Sequence, residues 1–526
     1  MNKALKWLVA IVLAPILLFL ILTLLLYFPP VQNWAVRQVA SSASEKTGME
    51  ITLERVNLSF PLDLQLDGLK MLKPNDSIPQ QKDTVADVKQ LIAKVQLLPL
   101  LSNKVEIDEL TFKQLKANTI NFIGDLRIKG NLERLHLISH GIDLKGDSVR
   151  LNVAEIQGGW LDIALGDTVP EDTTKEKTLW RINIDQLNLA KTDFRLHMPG
   201  DTMSVRANFD KATAKATELL LHDDIYKVAS LDWQGGQFYY DQNYKPHAKS
   251  GFDGSHIAMT DVNIGLDSFV YAKPNISANV RTANMKEKSG LLVEDFRGPF
   301  RLDSTSLYLP NMYLKMPGTE LAGSFQMEMN AFDDNAPGRL YAQLNGHVTK
   351  SDLKPFLTSL EPRLYNSIPN KPLTVQGQLQ GNMKYATFKQ LHLKMPGHFD
   401  INGTGWIANP TDSKNMRSDL AIKGTAEDLD FVNKILPKSV SKDVRIPRGI
   451  GLHGKVKIRK SRYTGDIFLT ESKGKVHVKG NYNTANDAYN LLAKADNLQL
   501  RHFLPNMDVH PFTGIIAANG HGMDFF

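Results

Sequence analysis

No cysteine occurs among the 526 residues. That absence removes disulfide frameworks, zinc-thiolate and iron–sulfur centres and cysteine nucleophiles, and it leaves the chain compatible with an oxidising or a reducing compartment. Charge of one sign is scarce as well: 62 Lys and Arg stand against 56 Asp and Glu, a formal net charge of +6. The basic residues are scattered among acidic ones, so no stripe for a phosphate backbone forms and nucleic acid is not an expected partner. Catalytic signatures are missing too: there is no P-loop, no zinc-protease HExxH and no serine-hydrolase GxSxG. Gly449-Ile450-Gly451-Leu452-His453-Gly454 has the dinucleotide spacing, yet Lys455 to Lys460 alternates like a strand where that fingerprint needs a helix. The 14 histidines are dispersed, and His392 and His398 lack a third ligand at metal spacing. The sequence therefore offers no catalytic, cofactor-binding or metal-ligating residue, and an enzyme is not expected.

Long uncharged runs are absent with one exception. After Lys3 and Lys6 the 22 residues from Trp7 to Phe28 carry no charge, enough helix at about 1.5 Å per residue to cross a roughly 30 Å hydrocarbon layer. Trp7, Leu8, Val9, Ile11, Leu17, Phe19, Leu22, Leu25, Tyr27 and Phe28 supply the apolar surface. The aromatic pair followed by Pro29-Pro30 favours an uncleaved anchor over a signal peptide, and the preceding lysines place the amino terminus in the cytoplasm. Residues 1–30 are thus read as cytoplasmic tip and transmembrane anchor, with the remainder on the far side of the membrane.

Beyond the anchor, residues 31–48 read as one amphipathic helix, with Trp34, Val36, Val39 and Ala43 among polar residues and Gly48 as the stop. The period then becomes two. Leu62, Leu64 and Leu66 alternate with acids and Gln65, and Leu126, Ile128, Leu151, Val153, Ile182, Ile184, Val476 and Val478 continue the pattern. Lys129-Gly130-Asn131, Gly146-Asp147 and Gly235-Gly236 read as turns between antiparallel neighbours, and the polar stretches 73–84 and 166–178 as loops. Leu196-His197-Met198-Pro199-Gly200 recurs at 314–318 and 393–397 as Leu-Lys-Met-Pro-Gly, a strand end feeding a turn. A short helical segment recurs with Leu353, Leu429 and Leu500, each time followed by strands, which predicts a repeat of one short helix plus several strands. So many half-apolar strands and so few helices leave two solutions, a two-sheet sandwich or one long sheet curled into a trough.

From the basic tip through Phe28-Pro29-Pro30, the helix to Thr47-Gly48, the stretch Met49 to Phe60, Leu62 to Leu69 and Leu97 to Leu110, the chain resembles the AsmA-like and TamB family of the Gram-negative cell envelope. The resemblance implies a mostly β fold, an elongated repetitive sheet curled into a β-taco groove. It divides the chain into anchor (1–30), amphipathic helix (31–48), an amino-terminal β region (49–165), an acidic loop (166–178) and a repeated groove body (179–526) cut short at its carboxyl end. It also implies phospholipid and inner-membrane partners, no cofactor, and transport of phospholipid towards the outer membrane. Assembly or secretion of outer-membrane β-barrel proteins, through a barrel partner contacted by a carboxyl-terminal region absent here, is the alternative; an anchored envelope enzyme is a distant second one. Leu62, Leu64, Leu66, Leu126, Ile128, Leu151, Val153, Ile182, Ile184, Val476 and Val478 are the expected groove residues.

Overall fold

A computed structural model describes Phe28, scattered positions in 30–48, and residues 49–59, 63–75, 81–96, 107–119, 126–143, 148–165 and, apart from a few positions, 181–522. The anchor residues Trp7 to Tyr27, the acidic loop 166–178 and Leu62 lie outside the described residues, as does the side chain of Leu126. No described helix is long and apolar enough to cross a membrane. The described positions from Pro30 to Glu45 are helical, and the Gly48 N–H donates to the Ser44 carbonyl at 2.9 Å, so the helix ends where Gly48 permits a φ of +67°.

The chain is mostly β, about 70% strand, in open, mixed sheet with few helices. It divides into two compact units, residues 1–247 with 254–273, and residues 248–253 with 274–526. In the first unit the strands are β1 (Glu50–Thr52), β2 (Arg55–Ser59), β3 (Asp63–Pro74), β4 (Lys82–Val95), β5 (Ile107–Asn118) and β6 (Leu126–Asp143). They continue as β7 (Ser148–Leu165), β8 (Arg181–His197), β9 (Ser204–Leu220), β10 (Ile225–Asp241) and β11 (His256–Ala272). Sequential neighbours from β3 to β11 pair antiparallel except β7 and β8, which run parallel with Ser148 opposite Arg181 and Ala164 opposite His197. A tight turn cannot join two parallel neighbours such as β7 and β8.

Two expected turns are not turns. Lys129-Gly130-Asn131 lies inside β6 and Gly235-Gly236 inside β10. Both are strand positions with a reason for glycine. Gly130 faces Leu161, whose Cδ2 would sit 2.8 Å from an added Cβ, and Gly236 has a φ of +124° with the Asn208 carbonyl oxygen 2.0 Å from where a Cβ would stand. The second case belongs to a crease. Gly68, Lys89, Gln114, Glu133, Gly158, Lys191, Asp210 and Gly235 fall at the same place in successive ladders, and each is skipped in the pairing register. Gly68, Gln114, Gly158, Lys191 and Gly235 have φ of +63°, +50°, +69°, +50° and +72°. One residue inserted into each strand flips the side-chain parity beyond it. That is why Leu64 and Leu66 are followed by Leu69 and Met71. A second crease crosses β7 to β11 at Asn152, Asp185, Ala216, Ala229 and Ser268, so in β8 the apolar face passes from Ile184 to Leu187 and then from Leu189 to Thr192.

The second unit uses shorter strands. These are β12 (Asn275–Glu287), β13 (Leu292–Val293), β14 (Asp295–Leu302), β15 (Ser306–Met316), β16 (Thr319–Glu328) and β17 (Leu340–Val348), then β18 (Leu373–Asn382), β19 (Tyr385–Met395), β20 (Phe399–Ala408) and β21 (Arg417–Ala426). β22 (Ile450–Arg459), β23 (Arg462–Glu471), β24 (Gly474–Asn483), β25 (Ala488–Leu498) and β26 (Phe512–His521) complete it. Pro317-Gly318 and Pro396-Gly397 join β15 to β16 and β19 to β20, as the repeated motif predicts. Between β17 and β18 come a 3-10 turn (Lys354–Phe356) and helix α1 (Pro362–Ser367); between β21 and β22 comes α2 (Asp430–Ile435); between β25 and β26 comes α3 (Leu500–Phe503). The repeat is thus a set of strands β18–β21, then β22–β25, each entered and left through a short helix at the same end of the sheet.

Candidate functional site

The expected groove residues can be followed through the register. In the first unit Leu64 belongs to a row that crosses the sheet as Leu58, Leu64, Ala93, Leu110, Leu137, Ala154, Leu187, Ala214, Leu231 and Leu266. Leu66 belongs to the next, Val56, Leu66, Leu91, Phe112, Leu135, Ile156, Leu189, Ala212, Trp233 and Ile264. Neither row contains a polar residue. Directly opposed residues in a sheet share a face, so these rows line one side. Ile128 lies in a third row with Ile163, Leu196, Val205, Tyr240 and Ile257, and Ile182 in a fourth with Val149, Leu219, Tyr226 and Tyr271.

Most of this face is half-buried, although Val56, Ala93, Ala154, Ala212, Ala214 and Trp233 in the first two rows are buried. Of the expected groove residues in this unit, Leu151 and Ile184 are buried too. They are 8% exposed and pack with Ala154 against Leu137, Val149, Ile182 and Leu187 of the adjoining strands, so they are core residues. Val153 is a correction. The bulge at Asn152 carries it into the row Ile138, Val153, Gln186, Lys215, Ser230 and Asp267, on the polar face; its alternation with Leu151 in sequence does not survive the inserted residue.

In the second unit Val476 is a core residue, and Val478, partly buried, packs against the same cluster while facing a cavity. Val476, 9% exposed, clusters with Ala493, Ala495 and Leu498 under Phe503 of α3, so it belongs to the core at the helix end of the strands. Val478 lines a cavity of about 810 Å³ over β22 to β26, together with Val456, Ile467, Leu491, Ile516 and the tyrosines Tyr463, Tyr482 and Tyr489. That volume is within the range of about 300–1,000 Å³ common to ligand sites. Its floor is Gly465 opposite Gly480. A Cβ on Gly465 would meet only the Ile467 side chain, its Cδ1 at 3.5 Å and Cγ1 at 3.8 Å, so the glycine keeps open space that a side chain could fill. The tyrosines form one row at the rim, Tyr463, Tyr482 and Tyr489, and the Tyr482 hydroxyl donates to Asp487 at 2.6 Å. Aromatic bodies with a wet polar tip suit a boundary between an apolar cavity and solvent. The sequence reading missed this cavity, whose signal was two glycines, Gly465 and Gly480, each with a tyrosine two residues away.

A larger cavity, about 1090 Å³, is lined by Gln343, Asn345, Gln376, Gln378, His392 and Asn402. Its amides offer hydrogen bonds, and Ala322, Leu344, Ala421 and Ile422 add apolar surface between them. Gly449 to Gly454 open β22 with no following helix, so the dinucleotide spacing holds no phosphate site. His392 Nε2 donates a hydrogen bond to the Asp400 carboxylate at 2.8 Å, and this contact, with Lys394, holds the Asp400 carboxyl below the usual carboxylate range. Compared with known proteins, the chain matches no family model, no curated protein and no solved structure.

Proposed function

We propose that this chain is an inner-membrane-anchored envelope protein that shields phospholipid acyl chains along the apolar face of its sheet while headgroups remain in water. The observation that carries the reading is the pair of unbroken apolar rows through Leu64 and Leu66, most of whose residues are only partly buried. At about 0.8 kcal/mol per buried CH₂, a 16-carbon tail gains roughly 12 kcal/mol on leaving water. Because successive rungs present similar residues, that energy changes little from strand to strand, and a tail can move along the face without a chemical step. Creases that bend every long strand support curling of the sheet into a trough. The anchor rests on the sequence of Trp7 to Phe28 alone.

Photo-crosslinking in cells tests the reading. A crosslinking residue at Leu64 or Val478 is expected to capture phospholipid, and one at Lys479, on the opposite face from Val478, is not. Equal capture at all three, or none, overturns it. Gly465→Leu should lower capture at Val478 several-fold without unfolding the sheet. Normal lipid transfer with lowered β-barrel protein levels in such variants would instead favour a role in barrel assembly.

A further inference from the structure

We propose that Asp241, His247 and His256 form a binding site for a divalent transition-metal ion of the zinc class. Asp241 closes β10, His256 opens β11, and the two face each other across the hairpin. The chain then turns back on itself: the Gln242 N–H donates to the Ser255 carbonyl at 2.8 Å and the Lys245 N–H to the Gln242 carbonyl at 2.9 Å. This returns His247 to the strand ends, where its ring lies 3.8 Å from that of His256 between centroids, tilted by 35°.

One potential ligand atom from each of the three residues lies within 4.8 Å of the other two. Donors that share a tetrahedral ion at about 2.0–2.1 Å stand about 3.3 Å apart. His256 Nε2 and Asp241 Oδ1 are already 3.4 Å apart. His256 is 2% exposed and held by its surroundings, so closure falls to His247, the exposed member on the connection. Two imidazole nitrogens and one carboxylate match Zn²⁺, Ni²⁺ or Cu²⁺ and not Ca²⁺ or Mg²⁺, which take oxygen ligands. Three protein ligands leave one position for water or an incoming group. Asp241 and His256 lie one residue beyond the apolar pair Tyr240 and Ile257, hence on the other face of the sheet, so the site is independent of lipid binding. Bound metal would pin the connection between Asp241 and His256 against the hairpin end. Spacing alone gave no hint of the site, because its ligands come from two strand ends and a loop.

The test is zinc binding to the full chain in detergent micelles, by equilibrium dialysis with metal counting after chelator treatment. One equivalent is expected to bind, weakened at least tenfold by His247→Ala and by Asp241→Asn. His477→Ala, which removes a different histidine–aspartate pair, with Asp466 at 2.7 Å, should leave that equivalent unchanged. Tryptic cleavage after Lys249, in the connection between Asp241 and His256, should slow on adding Zn²⁺ to the unsubstituted chain and not to His247→Ala. Since His247 is exposed, its replacement does not threaten the fold. Zinc binding no tighter in the unsubstituted chain than in His247→Ala, or weakened equally by His477→Ala, overturns the proposal.

Discussion

The two units solve the same problem differently. A sheet with one apolar face must either cover that face or live with its exposure. The first unit extends single strands to as many as 18 residues and keeps one face apolar through two parity flips. No described helix lies along the middle of that face. The second unit stops its strands at about half that length and brings a short helix across one end of each set. There Phe431 packs on Phe399 at 6.4 Å between ring centroids, and Phe503 covers Val476 and Leu498. Beyond the helices the strands open onto the cavity of Val456, Ile467 and Val478. Core and open face thus alternate along each strand in the second unit, whereas in the first the creases decide which residues share the face.

Glycine substitutions break that contrast most sharply. Gly159, next to the first crease, has a φ of +107°, and a Cβ there would stand 2.0 Å from the Asn131 carbonyl oxygen. Backbone cannot yield as a side chain can. Gly159→Ala is expected to cost about 3–5 kcal/mol and to raise hydrogen exchange in β6 to β8. Gly465→Ala, in the cavity floor of the second unit, should cost less than about 1 kcal/mol. Similar losses at both would mean that the creases are not the constraint the register implies.

Side-chain truncation comes next. Ile184→Ala removes a core residue and should cost about 2–3 kcal/mol in thermal unfolding. Val478→Ala truncates a partly buried residue that packs on the Val476 cluster and lines the cavity, so about 1 kcal/mol, less than at Ile184, is expected. If Val478→Ala costs as much as Ile184→Ala, the cavity is packed core and the lipid reading loses its second-unit half.

Much of this architecture could be read from the residues. Period two identified the strands, the Pro-Gly motifs marked two hairpins, and the spacing of Leu353, Leu429 and Leu500 found the repeat. What failed was parity. Leu151 and Val153 alternate correctly, but the inserted Asn152 between them puts them on opposite faces. An Asn or Asp in a strand carries no local signal that distinguishes a bulge from an ordinary polar position. Gly235-Gly236 is the same failure in another form, since glycine allows a positive φ both in a hairpin turn and in a crease. The parallel pair β7 and β8 was equally illegible, because direction is set by a return that leaves no mark on the strands themselves.

A smaller test addresses the crease residues that are not glycine. Lys191 has a φ of +50°, where a Cβ crowds the following carbonyl. Lys191→Gly relieves that crowding and loses some unfolded-state advantage, for a net gain of about 0.5–1 kcal/mol. Lys434→Gly, within α2 of the second unit, should instead be destabilising by about 1 kcal/mol. A loss at Lys191 would show that its side chain, and not the backbone bend, is what the position requires.

The smallest effect concerns how the helices of the second unit are tied together. The Arg363 guanidinium donates to the Lys434 carbonyl at 2.7 Å, which links α1 to α2, and the Arg445 N–H donates to the Phe503 carbonyl at 2.9 Å, which links residue 445 to α3. Asp430 joins these contacts: it accepts from Arg445 at 2.8 Å and from Arg448, and the two guanidinium groups lower its pKa to about 2. A carboxyl depressed in the folded state contributes stability that is fully present above its unfolded pKa, about 3.9, and is lost as pH falls towards 2. With 29% of the side chain exposed, solvent screens the pairing and the contribution is about 0.3–0.5 kcal/mol. Asp430→Asn should therefore lower the melting temperature slightly at pH 6, with the difference shrinking between pH 4 and pH 2 and in high salt. A difference that persists at pH 2 would assign the effect to the amino terminus of α2, where the Asp430 N–H is held by Asp428 Oδ1 at 2.8 Å, and not to the arginine ties.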